Sequence, residues 1–328
     1  MNTLVYGNRR EFLGQVGSSL IAAGLVRDPL NKCSANPTMN DEPSIPIVDT
    51  HHHLWDVDKF RLPWLASVPK LAKSFVMADY LKATEGLGIA KTVYMEVDVD
   101  SAQQVEEAEY VIDICKRGDT PMRAAVISGR PASGGFKDYI MRFKGSPFIK
   151  GVRQVLHPPS TPRGLCLDKQ FIQSVQLLGE LGMSYDLCMR NSELEDGAKL
   201  IDACPGTRFI LDHCGNGDVQ SKDRSTWQRG LAAVAARKNV ICKISGIVAS
   251  AKPDAWTAAD LAPIIRTTIQ EFGIDRVIFG GDWPVCTLAA TYRQWVETLR
   301  EILNEMKMST ADQRKLFHDN AAQFYGLA

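Results

Sequence analysis

The chain has 328 residues, 45% hydrophobic and 23% charged, the make-up of a globular protein with a substantial core in one large domain or two ordinary ones. Its 38 basic and 38 acidic side chains cancel, which gives no reason to expect nucleic acid or an anionic membrane surface as a partner. No run of 18 apolar residues is present, so no helical membrane span is expected.

Taken from the start, Asn8-Arg9-Arg10-Glu11-Phe12-Leu13 resembles a twin-arginine export motif, and the 13 residues that follow, 14–26, carry no charge. Residues 1–26 therefore read as an export signal, placing the protein outside the cytoplasm; a basic amphipathic tail on a cytoplasmic protein is the other reading. Residues 27–44, rich in Asn, Pro, Ser and Asp, read as a linker, and residues 45–328 as the folded domain. None of the eight cysteines forms a C-x-x-C pair, and Cys115, Cys188, Cys214 and Cys242 lie in or beside apolar runs, the pattern of buried thiols.

The first β-rich run, from Ile47, ends in His51-His52-His53. Residues two apart on a strand share a face, so His51 and His53 point together and His52 points away. Two imidazoles on one face can hold a metal ion or an anionic oxygen, and a solvated His run gives the same letters. Seven more times a helical segment ends at or near Gly and a β-rich run follows: 91–97, 122–127, 149–156, 183–188, 208–213, 240–245 and 276–282. Ser192-x-x-Glu195 and Thr310-x-x-Gln313 have the spacing of helix capping boxes. Eight strand–helix units imply parallel βαβ connections and an α/β fold, a (β/α)8 TIM barrel, with an extra helix at the C-terminus. A doubly wound sheet would place a Gly-rich turn where the histidines stand. Residues 56–77, with Phe60 and Trp64, are too long for an ordinary connection and are expected to fold over the barrel mouth.

In such a barrel the chemistry sits at the C-terminal strand ends. Five of the six histidines (His51, His52, His53, His157 and His213) fall at or just past predicted strand ends, as do Glu96, Arg153, Asp186, Lys243 and Asp282. Ionisable groups in a barrel lined with branched apolar side chains need a reason, either chemistry or mutual pairing, as between Asp186 and Arg153. His318 lies in the last helix and reads as a surface residue.

Asp49-Thr50-His51-His52-His53-Leu54-Trp55 resembles the opening of the amidohydrolase superfamily in its amidohydrolase-2 branch. Gly151-Val152-Arg153, Leu211-Asp212-His213-Cys214-Gly215, Lys243-Ile244-Ser245-Gly246 and Phe279-Gly280-Gly281-Asp282-Trp283-Pro284-Val285 are similar to its later signatures, and Asn320-Ala321-Ala322-Gln323-Phe324-Tyr325 to its closing helix. Within the branch, the L-fuconolactonase and L-rhamnonolactonase group is the nearest in pattern. The resemblance implies a distorted barrel and ring opening of a sugar-derived lactone by water. It places His51 and His53 on the family's first-strand pair, His213 on its sixth-strand His and Asp282 on its eighth-strand Asp. The fifth strand offers Tyr185-Asp186 and no His, so at most one divalent metal is implied, held by His51, His53 and Asp282, with His213 as a further ligand candidate. Zinc suits those donors, and lactonases of this group do not all require a metal.

Lactone hydrolysis needs a base for water, donors for the developing oxyanion and a proton for the leaving oxygen. Asp282 is the expected base, with His51, His53 and His213 polarising the carbonyl directly or through the metal. Arg153, His157, Lys243, Asp186, Glu96, Trp55 and Trp283 are expected around a small-molecule substrate, although packing suits the two tryptophans slightly better than stacking on a sugar face. A homo-oligomer is allowed by the sequence. The alternative reaction in the same branch is metal-dependent decarboxylation, against which the missing fifth-strand His speaks.

Overall fold

The computed structural model describes residues 45–327, and the expected export signal and linker lie outside the described residues. Eight parallel strands run β1 (Ile47–His52), β2 (Ile89–Met95), β3 (Met122–Ser128), β4 (Ile149–Val155), β5 (Ser184–Cys188), β6 (Arg208–Leu211), β7 (Val240–Ile244) and β8 (Val277–Phe279), paired in the order of the chain. This is the expected barrel, and it is distorted at one seam. Instead of a regular β8–β1 ladder, the seam is joined just past β8, where Asp282 N–H donates to the His51 carbonyl (2.6 Å) and His53 N–H to the Trp283 carbonyl (2.7 Å).

The strands are short and buried on both faces, as a parallel sheet wrapped by helices requires; every residue of β1 is buried. Val48, Val93, Val126 and Ile278 fill the barrel interior, and Ala321, Tyr325 and Leu327 pack onto them. The C-terminal segment (helices Thr310–Arg314 and Asn320–Tyr325 around a π-helical turn, Lys315–Asp319) thus covers the N-terminal end of the barrel and leaves the opposite end for the site. There Asn320 Nδ2 donates to the carbonyls of Ile274 and Val277. His318 is half-buried beside Asp319 rather than a free surface residue.

Local signals shift some predicted boundaries. The helix before β2 starts at Met77, where the Asp79 carboxylate accepts from Val76 N–H. Ser192 and Glu195 form no box: Ser192 Oγ accepts from Arg163 and Glu195 pairs with Arg229. The C-terminal cap belongs to Ser309, which accepts from Asp312 N–H, while Gln313 reaches Asn304. Boxes do form at Thr257 with Asp260 and at Thr291 with Gln294. The loop after β1 tightens into two 3-10 turns, Pro63–Ser67 and Pro69–Leu71, and brings Trp64, Ser67 and Val68 to the barrel mouth. Among the described residues no helix is long and apolar enough to cross a membrane.

Candidate active site

The alternation along β1 sets the first two groups. His51 and His53 face the barrel mouth, while His52 turns outward against Tyr80 and Tyr94. His53 Nδ1 lies 3.0 and 3.1 Å from the carbonyl oxygens of Met95 and Glu96. A carbonyl only accepts, so Nδ1 carries the proton and Nε2 is left with a bare lone pair. That lone pair faces Asp282 Oδ1 at 3.3 Å. Arg153 donates to His51 Nε2 (3.2 Å), which likewise assigns His51's proton to Nδ1, 3.5 Å from Asp212 Oδ1. Burial, against the pull of Asp212, holds His51 well below the usual imidazole range, and burial with Arg153 holds His53 at about 4. Both rings are therefore neutral near pH 7.

Asp282 sits just past β8 at φ +53°, and His213 just past β6 at the same φ, a region that non-glycine residues seldom occupy. Burial pushes the Asp282 carboxyl up to about 6 against the opposing pull of His213 and Arg153. His213 Nδ1 lies 2.9 Å from Ser245 Oγ, and its ring rests on the backbone of Gly246, where a Cβ would overlap it. Both ends of the seam are tied by one carboxylate. Asp49 Oδ1 accepts from the N–H groups of His51 (3.0 Å) and Gly281 (2.8 Å), and its Oδ2 from the hydroxyls of Tyr80 (2.8 Å) and Tyr292 (2.9 Å).

A layer of buried charges lies beside these groups. Arg153 Nε binds Glu96 Oε1 (2.7 Å), its second nitrogen donates to the Glu96 carbonyl (2.8 Å), and its third reaches Asp212 Oδ2 (3.4 Å). Lys243 Nζ lies 2.6 Å from Asp186 and 3.1 Å from Asp212. Burial raises the Asp212 carboxyl, but Lys243, His51 and Arg153 outweigh it and hold Asp212 well below the usual carboxylate range. Above this layer opens a cavity of about 550 Å³, lined by His53, Arg153, His213 and Asp282 and walled by Trp55, Trp64 and Pro158.

Two trios of side chains bring ligand atoms within 4.8 Å of one another among the described residues: His51–His53–Asp282 and His51–Asp212–His213. The second already holds cations, since Asp212 lies between Lys243 and Arg153. The first presents two neutral imidazoles and a carboxylate. Its Asp282 oxygen lies 3.3 Å from His53 Nε2 and 3.7 Å from His51 Nε2, against about 3.3 Å between two donors of a tetrahedral zinc with bonds near 2.05 Å. His53 Nε2 and Asp282 Oδ1 face that point with lone pairs, and His51 Nε2 becomes the third donor once Arg153, which now donates to it at 3.2 Å, turns aside; the donor set then fits a divalent cation.

Of the residues expected around substrate, His157, Arg153 and Trp55 line the cavity. Glu96, Asp186 and Lys243 do not: all three are fully buried, Glu96 holding Arg153 while Lys243 pairs with Asp186. The expected Asp186–Arg153 pair is replaced by those two. Trp283 does not line the cavity either; it packs edge-on to Phe75 and Tyr80 at 5.5 and 5.6 Å. Trp64, expected in the segment over the barrel mouth, lines the cavity, whereas reasoning from the sequence missed Asp212, which stands beside His213 in the same motif, and Asp98 and Asn216 in the cavity wall. Asp98 directly follows a predicted strand end, the criterion that selected the others.

The sequence profile of the family described as Amidohydrolase matches residues 48–327. An L-fucono-1,5-lactonase of Burkholderia multivorans is 28% identical over 295 residues, covering 85% of this chain and 96% of its own. An L-rhamnono-gamma-lactonase of Scheffersomyces stipitis is 23% identical over 335 residues, covering 86% and 98%. Among solved structures, an amidohydrolase from Burkholderia multivorans with bound zinc superposes with a TM-score of 0.76 at 23% identity, covering 86% of this chain and all of that one.

Proposed function

The chain belongs to the amidohydrolase family, in the amidohydrolase-2 branch and related to the sugar-lactone hydrolases, and on that premise we propose that it opens a sugar-derived lactone with water. The observation that carries the reading is the convergence of His51 Nε2, His53 Nε2 and Asp282 Oδ1 at one point beside the cavity. His53 and Asp282, with His51 once Arg153 turns aside, would hold a divalent cation there, zinc by the donor set, which when bound would supply Lewis-acid polarisation of the lactone carbonyl.

This chain's own side chains do the rest. Asp282 has the charge and reach to take a proton from the attacking water, and it returns that proton to the ring oxygen as the C–O bond breaks. His213, fixed by Ser245 and Gly246, offers its other ring nitrogen to the charge that builds on the carbonyl oxygen. Arg153, engaged by Glu96 and Asp212, keeps the His51 ring in one tautomer and adds positive potential to the cavity floor. Trp55 and Trp64, 5.5 Å apart and edge to face, wall the space for a ring-shaped ligand and exclude water from it. A lactone is an activated ester, and a site with one metal position suffices for it.

The test joins metal content to activity. The purified full chain is analysed for metal by mass spectrometry and assayed by acid release on a panel of aldonolactones, with and without chelator. The expected result is turnover that falls on chelation, returns with zinc, and drops by about 100-fold or more in Asp282→Asn. Acid release from no lactone at full metal occupancy sinks the proposal and favours the decarboxylase alternative.

A further inference from the structure

Two cavities meet at one carboxylate. Asp98, on the loop after β2, lines the main cavity and also a smaller one of about 260 Å³ walled by Trp64, Arg130 and Asp100, the last paired with Arg61 and accepting from Ala102 N–H. Its backbone stands at φ +51°, a left-handed conformation that Asp adopts more readily than most non-glycine residues. Asp98 N–H donates to Glu96 Oε2 at 2.6 Å, and Glu96 is anchored through its other oxygen to Arg153. Arg130 binds Asp98 Oδ1 at 2.6 Å and is braced in turn by Ser128 Oγ (3.1 Å) and the Gly129 carbonyl (3.0 Å). The side chain keeps 32% exposure, and no protein donor reaches Oδ2 among the described residues. The carboxylate is thus held in place with one oxygen left over.

Its neighbours are otherwise engaged. Arg153 directs its guanidinium to Glu96, His51 and Asp212, so the cavity offers no free cation for an anionic ligand. Asp98 and Asp282 are the two carboxylates in the lining, and Asp282 belongs to the reacting centre. Among the described residues, Asp98 is the carboxylate that the main cavity offers to a ligand hydroxyl away from that centre, while Asp100 in the second cavity is taken by Arg61.

We propose that Asp98 sets specificity: its Oδ2 accepts a hydrogen bond from a hydroxyl on the side arm of a neutral polyhydroxylated lactone, and the arm lies against Trp64 toward the second cavity. This rests on the lactone reading above and adds which part of the substrate is recognised and by what. Glu96 and Arg130 act through Asp98 as positioning residues.

The experiment compares an arm-bearing aldonolactone with its armless analogue, for example ribono-1,4-lactone with erythrono-1,4-lactone, starting from the best substrate of the panel. The readout is the ratio of kcat/KM for the two. In the wild-type chain the ratio favours the arm, and in Asp98→Ala it falls about tenfold or more, the worth of a hydrogen bond to a charged group. Asp98→Asn falls between, since its amide oxygen turns to Arg130 and presents NH2 where Oδ2 stood. A wild-type chain with no preference for the arm overturns the proposal, as does a ratio unchanged within twofold in Asp98→Ala while both lactones are still opened. Should Asp98→Ala fail to fold, the isosteric Asp98→Asn decides by the same ratio. If the wild-type chain opens no lactone at all, the lactone reading fails and this assignment with it, a result distinct from a lost preference.

Discussion

Replacing Asp49 tests whether one buried carboxylate holds the seam of the barrel. Its two oxygens receive four donors, two backbone N–H groups and two tyrosine hydroxyls, at 2.8–3.0 Å. In Asp49→Ala all four lose their acceptor inside the protein. An unsatisfied buried donor costs about 1–3 kcal/mol, and the two hydroxyls can rotate toward other partners, so the two backbone groups set the floor. The expected loss is on the order of 2–6 kcal/mol, a large part of a stability of about 5–15 kcal/mol. Asp49→Asn keeps one oxygen for the two N–H groups and turns its NH2 to the phenol oxygens, which can accept; it forfeits the charge and is expected to cost about 1–2 kcal/mol. The assay is urea unfolding followed by tryptophan fluorescence, read as midpoints at equal slope. Because His51 and Gly281 flank the proposed metal position, zinc affinity is measured alongside, with an expected drop of about 10–100-fold for the alanine variant. An Asp49→Ala protein that unfolds within about 1 kcal/mol of wild type refutes the reasoning, since that outcome requires the four donors to find partners elsewhere.

Three further outcomes follow from the same coordinates. Glu107 is fully buried, and burial with the nearby Glu96 raises its carboxyl to about 8, so the folded state binds its proton more tightly than the unfolded chain does; that stability is present below about 4.3 and is lost as pH rises through about 8. Thermal melts from pH 5 to 9 should therefore show Glu107→Gln gaining on wild type as pH rises, and a constant gap contradicts the assignment. Gly246→Ala places a Cβ against the His213 ring at a φ of +68° and is expected to lower kcat by about tenfold or more with fold retained, checked by steady-state kinetics and circular dichroism. Lys243→Met leaves Asp186 and Asp212 without their shared cation and should destabilise by about 3–5 kcal/mol in denaturant titration, with Asp186→Leu added to recover part of the loss.

Much of the fold was legible because its signals are local and repeated. Each helix stop at Gly followed by a β-rich run marked one unit, and strand alternation correctly separated His52 from His51 and His53. What stayed hidden depends on geometry across strands. Arg153 and Asp186 are register partners on β4 and β5, which makes them look like an ion pair. In three dimensions the long guanidinium reaches Glu96 and Asp212, and Asp186 turns to Lys243 on β7. Asp212 stands in the Leu211-Asp212-His213 motif without an evident role, because sequence does not say which of two adjacent polar residues points inward. Trp283 followed a site residue and still packs on Phe75 and Tyr80, since one residue further along the chain is a different direction in space. Ser192 and Thr310 had the letters of a cap without the backbone conformation that makes one.

The seam also bears on the order in which the molecule comes into being. His51 and Asp282 are joined by a backbone hydrogen bond, yet lie near opposite ends of the described chain. Closing so long a loop is entropically costly until the intervening strands have shortened it. Strands β1 to β7 can add one after another through contacts between neighbours, but the contact of His51 and His53 with Asp282 waits for the last strand. No partial chain that stops short of β8 brings His51, His53 and Asp282 together. Assembly of the trio and closure of the sheet are therefore a single event, and a chain that lacks β8 has neither a place to sequester a metal ion nor a centre at which to react.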